Sequence, residues 1–111
     1  PETYGEIIMK DMNCCLTMVC HHSLEERLVD RLLEHPEWVY GFSLLNLEGG
    51  SQNELLTSMI EQVRGRSRRV QIQTIMNLDD AHELIACLKR EELNPEMAYW
   101  ITPVIEFGRL A

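Results

Sequence analysis

An α+β fold, one antiparallel sheet with two helices on a single face, is the class the sequence predicts. Three observations carry it: a strand-like stretch at 13–20 that is apolar on both faces, two segments with apolar residues at helical spacing, and the order strand, helix, strand, strand, helix, strand.

Residues 13–20 alternate Cys14, Leu16, Met18 and Cys20 with Cys15, Thr17 and Val19. Both sets are largely apolar, which suits a central strand covered on both sides. Ser23 then supplies a capping hydroxyl with Glu26 three positions on, and Leu24, Leu28, Val29, Leu32 and Leu33 form one stripe of a helix that ends at His35 and Pro36. The run "WVYGFSLLNL" at 38–47 reads as a second strand. "RRVQIQTIM" reads as a third, with Val70, Ile72 and Thr74 alternating against Gln71 and Gln73. Between them lies a long insertion, 48–66. Asp79 or Asp80 caps a second helix whose stripe is Ala81, Leu84, Ile85 and Leu88, with Lys89 and Arg90 near its carboxyl end and Asn94 and Pro95 stopping it. The final run "MAYWITPVIEF" reads as a fourth strand, and Pro103, which cannot donate to a ladder, places it at an edge, a bulge or a bend. This order is the split βαβ arrangement of ferredoxin-like domains, a βαββαβ sandwich.

The chain of 111 residues is expected to hold one domain over 13–111, with 1–12 as an N-terminal tail outside the fold. A formal net charge of −8 opposes nucleic acid and anionic lipid as partners of the whole molecule, and no apolar run is long enough for membrane insertion. The four cysteines are expected as reduced thiols in the cytoplasm, since no signal peptide is visible and a core of this size needs no staples. Neither face of the first strand is polar, so the sheet face without helices should be covered by self-association.

The stretches "CLTMVCHHSLEERLVDRLLEHPEWVYGFSLL", "EQVRGRSRRVQIQ" and "YWITPVIEFGRL" together resemble an uncharacterised bacterial family of PII-like and CutA-like trimeric proteins. The resemblance implies a ferredoxin-like protomer, a homotrimer with its bare sheet faces turned inward, and a non-enzymatic role in signalling or binding. Members are often encoded near heavy-metal efflux systems, which makes metal a relevant ligand and a membrane transporter a candidate protein partner. The likeness to nitrogen regulatory protein PII itself is looser. PII proteins hold nucleotide phosphates on a glycine- and lysine-rich loop where this chain has only "EELNPEM". The insertion 48–66 sits where PII proteins carry their partner-binding loop.

Two candidate sites follow from residue types. Cys20, His21 and His22 fall where the first strand becomes a helix, and a thiolate with imidazoles suits copper or zinc. The plainer account makes Cys20 the last core residue and the two histidines exposed residues ahead of Ser23. Cys14 and Cys15 leave opposite faces of a strand and read as core filling, as do the scattered methionines; His35 and His82 read as isolated surface residues. Arg64, Arg66, Arg68 and Arg69 concentrate positive charge in an acidic protein. They form either a site for phosphate, nucleotide or an acidic partner, or a set of ion pairs across a subunit interface. Ahead of them Leu55, Leu56, Met59, Ile60 and Val63 fit a short amphipathic helix ended by Gly65.

No nucleophile with a spaced base, paired carboxylates or phosphate-cradling glycine loop is present, so catalysis is not expected. The expected function is a PII-like regulatory module that binds a small ligand or metal ion and a protein partner. The alternative is a CutA-like heavy-metal-binding accessory protein for copper or zinc tolerance.

Overall fold

The computed structural model describes residues 10–49, 67–91 and 96–111. Four strands and two helices follow in the expected order. They are β1 (Cys14–His21), α1 (Glu25–Leu33), β2 (Ser43–Gly49), β3 (Ser67–Met76), α2 (Leu78–Glu91) and β4 (Ala98–Pro103), with a 3-10 turn at His22–Leu24 ahead of α1. The strands form one sheet in the order β2-β3-β1-β4, every neighbouring pair antiparallel. β1 is therefore central, and β4 with its Pro103 lies at an edge where a missing N–H costs no ladder bond.

The core lies between the helices and one sheet face. Cys14, Leu16, Met18 and Cys20 of β1 and Val70, Ile72 and Met76 of β3 are buried with Leu28 and Leu32 of α1 and Ala81, Leu84, Ile85 and Leu88 of α2. The period of two in the strands and the i, i+3, i+4 spacing in the helices select these residues. Thr74, also buried on this face, donates its hydroxyl to the Gly41 carbonyl at 2.7 Å. Among the described residues the opposite sheet face carries no helix. Its residues include Cys15, Thr17 and Val19 of β1, Arg69, Gln71, Gln73 and Ile75 of β3, Leu45 of β2 and Trp100 of β4. Leu45 is 59% exposed and Trp100 45%.

Local starts and stops differ from the sequence expectations in five places, one of them the last strand, which runs Ala98–Pro103 and does not continue to Phe107. Ser23 does not cap a helix: it lies within the 3-10 turn, whose cap is His21, and its amide donates to His21 Nδ1 at 3.3 Å. α1 begins after Leu24 with no side-chain cap. The cap of α2 is Asn77 rather than Asp79 or Asp80. Asn77 Oδ1 accepts from the amides of Asp79 at 3.0 Å and Asp80 at 3.4 Å, and Asn13 Oδ1 takes the Leu78 amide at 2.8 Å. The second strand starts at Ser43, not at Trp38, because the amides of Trp38 and Val39 bond the His35 carbonyl in a turn that tucks Val39 into the core. Residues 10–12 were expected outside the fold and touch it instead: Lys10 pairs with Asp80, which raises the lysine pKa, and the Asp11 carbonyl accepts from Asn77 Nδ2 at 3.0 Å. The proposed helix of 55–63, its Gly65 stop, and Asn94 and Pro95 fall outside the described residues. Among the described residues no helix is long and apolar enough to cross a membrane.

Candidate functional site

Two regions gather polar and aromatic groups, at opposite ends of the β2-β3 ladder. The first is the corner where β1 passes into the 3-10 turn beside the end of β2 and the start of β3. Arg69 pairs in register with His21 on one side and Leu47 on the other, while Arg68 pairs with Glu48. Consecutive strand residues leave opposite faces, so the two guanidinium groups diverge: Arg69 lies on the open sheet face and Arg68 on the helix side. The Arg69 side chain is buried across Gly49, where an added Cβ would stand 3.0 Å from its Cδ. His22 Nδ1 lies 3.2 Å from the Arg68 carbonyl, and the His21 and His22 rings are 4.4 Å apart. Arg64 and Arg66 lie outside the described residues.

The three sequence-predicted metal ligands are only partly brought together. The two imidazoles meet at the corner, and His21 Nδ1 is 2.9 Å from the Ser23 hydroxyl. Cys20, fully buried in the core, belongs to the other sheet face. Burial pushes its thiol up to about 11, with the Glu25 carboxylate adding to the shift and Arg69 opposing it. A thiol with that value stays protonated at neutral pH, and a metal ion would have to displace the proton from inside the core.

The second region is a cleft of about 260 Å³ at the other end of the sheet. The chain after β4 forms one wall of it: the Val104 amide bonds the Asn13 carbonyl at 3.0 Å, and beyond it Phe107 and Arg109 line the space. Tyr40, Gly41, Phe42 and Ser43 form the second wall, Gln73 and Ile75 of β3 the floor, and Met12 closes one side. Tyr40 and Phe107 are each well exposed, so ring faces are available to a ligand. A Cβ at Gly41 would meet nothing within 4 Å, which leaves the backbone there approachable. Sequence reasoning did not find this site, because 38–47 read as one strand and the residues after Pro103 carried no motif.

The family described as "Protein of unknown function (DUF3240)" matches residues 11–111. The chain belongs to the DUF3240 family. A solved DUF3240 protein from Shewanella baltica OS155 is 22% identical, covers 91% of this chain and 99% of its own, and superposes with a TM-score of 0.72. The fold extends beyond DUF3240 proteins. CPII, a nitrogen regulatory PII-like protein from Thiomonas intermedia K12 solved with ADP, AMP and bicarbonate, is 13% identical over 87% of this chain and 93% of its own, with a TM-score of 0.67. These likenesses establish a PII-like, ferredoxin-like fold. No curated protein matches the chain.

Proposed function

We propose that this DUF3240 protein is a non-enzymatic, PII-like regulatory module: a cytoplasmic homotrimer that binds a small planar anion of the nucleotide class and passes that state to a protein partner. The observation that carries the reading is the cleft between the C-terminal segment and the start of β2. Tyr40, Phe42 and Phe107 offer ring faces for stacking, and Arg109 offers a planar fork of donors suited to phosphate or carboxylate. Its volume falls just below the ~300–1,000 Å³ of sites that enclose a small ligand, as suits half of a site completed by a neighbouring subunit. The PII-like fold neighbour carries ADP, AMP and bicarbonate, which supports the ligand class.

The open sheet face, with Leu45 and Trp100 exposed, supports self-association. Arg68 and Arg69 stand in register with Glu48 and Leu47 near the end of β2, and a membrane transporter remains a candidate for the protein partner. The alternative, a copper or zinc accessory protein using Cys20, His21 and His22, has weaker support because the Cys20 thiol is enclosed in the core.

The test is thermal unfolding with millimolar ADP, AMP or bicarbonate, since a ligand of the native state raises stability by mass action. Stabilisation of the wild type that is lost in Arg109→Ala is the expected result. No shift with any of the three would refute the ligand class. Hydrogen exchange across 50–66 then separates regulation from passive binding: exchange unchanged by a bound ligand would exclude the regulatory role.

A further inference from the structure

We propose that the chain joins its own copies edge to edge: β2 of one copy pairs antiparallel with β4 of the next, with Leu45 opposite Trp100. The inference rests on the self-association proposed above and names the surfaces that carry it. Among the described residues β2 and β4 are the two outer strands of the sheet. An outer strand presents a row of N–H and C=O groups ready for another chain, and proteins usually blunt such an edge with lysine, proline or a bulge. β2, with the sequence SLLNLEG, has neither lysine nor proline and runs one-to-one with β3 over its whole length. β4 carries one such residue, Pro103, at its last position.

The side chains on the two edges match. Leu44 pairs with Ile72 and Tyr99 with Met18, which puts both on the helix side of the sheet. Leu45 pairs with Gln71 and Trp100 with Thr17, which puts both on the open side. Each edge thus shows a large apolar side chain on both faces, Leu44 at 43% exposure and Tyr99 at 42% beside the more exposed Leu45 and Trp100. A further strand covers such side chains, because directly opposed residues lie ~4.5–5.5 Å apart. Direction agrees as well. Every neighbouring pair in the sheet is antiparallel, so β2 and β4 run in opposite senses, and a second copy laid beside the first in the same orientation extends the alternation.

Registers that keep open face with open face differ by steps of two residues. The one that sets Leu45 against Trp100 also sets Leu44 against Ile101, Asn46 against Tyr99 and Ser43 against Thr102. It leaves Pro103 just beyond the first residue of β2, where the missing N–H costs no ladder bond. One step in one direction would bring Pro103 opposite Leu44, inside the ladder, and one step in the other would leave Ile101 and Thr102 unpaired. Ser43 also lines the cleft, so Thr102 of the neighbouring copy arrives at its rim, and the fully exposed Ile105 follows on the side of Phe42 and Tyr40. The cleft is then shared by two copies. A contact between opposite edges is head-to-tail, and in the proposed homotrimer it closes as a ring.

The experiment places Leu45→Cys and Trp100→Cys together in the full chain, with Cys15→Ala removing the half-buried native thiol. Within one chain the two positions are separated by β3 and β1, at least about 14 Å, too far for a disulfide. Mild oxidation is expected to link two and three chains on a denaturing gel, reversed by reductant, and either substitution alone is expected to leave the chains single. Leu44→Lys, outside the open face, is expected to weaken assembly at least tenfold in a light-scattering dilution series. A trimeric wild type whose doubly substituted chain stays single on the gel would overturn edge pairing and leave self-association standing. So would a dimer linked through Leu45→Cys alone, which needs two copies of the same edge, or undiminished assembly of Leu44→Lys. A monomeric wild type would overturn both.

Discussion

The thiol of Cys20, pushed up to about 11, ties the stability of the fold to alkaline pH. The folded chain holds this proton more tightly than the unfolded chain does. The stabilisation is therefore fully present below the ordinary thiol value of 9.0 and is lost as pH rises through 11. Within that window urea unfolding should show stability falling by up to about 1.4 kcal/mol per pH unit from this one group. Cys20→Ala should flatten the profile by one proton, leaving a smaller slope from Cys14, whose thiol burial also raises. At this scale the sequence identified Cys20 as the end of the first strand. It did not show that His21 continues the strand and so faces away from it, because adjacency in sequence is no guide to side-chain direction where the period is two. His35 read as an isolated surface residue; its contact with Cys87 spans 52 positions and leaves no local signal.

Elements were legible wherever apolar periodicity ran unbroken, as in β1, β3 and the two helix stripes. Their boundaries were not. The run "NLDDA" points to Asp79 or Asp80 as the cap, whereas the structure caps α2 with Asn77, directly after β3 ends at Met76. Asn77→Ala should cost about 1 kcal/mol of stability, as loss of a side-chain cap does, measured by chemical denaturation. Asp79→Ala, at a position that only supplies an amide to the cap, should cost less. The second strand starts late for a similar reason. "WVY" has the composition of a strand, yet Trp38 and Val39 are drawn into a turn by the His35 carbonyl and packed against the helices. The same late start exposes Tyr40, Gly41 and Phe42 as a wall of the cleft, so the misplaced boundary and the overlooked site have one cause.

For the whole molecule, both faces of β1 read as apolar, and among the described residues one of them belongs to the sheet face without a helix. Light scattering at micromolar concentration should report a trimer, and Leu45→Glu with Trp100→Glu should return it to the 12.9 kDa of a single chain. A monomeric wild type would refute assembly through this face. The strand order also governs how the chain can fold. Among the described residues β1 bonds only to β3 and β4, with Cys14 opposite Met76 and His21 opposite Arg69, and β2 bonds only to β3. No two strands that neighbour each other in the sheet are present until β3 has been synthesised. Loop closure over such separations delays folding, to milliseconds or longer where non-local strand pairing dominates. A nascent chain halted after residue 66 should thus be cleaved by protease as readily as an unfolded peptide. Protection should appear only once β3 has left the ribosome, so Leu16 and Met18 wait through much of translation as exposed apolar surface for chaperones to hold.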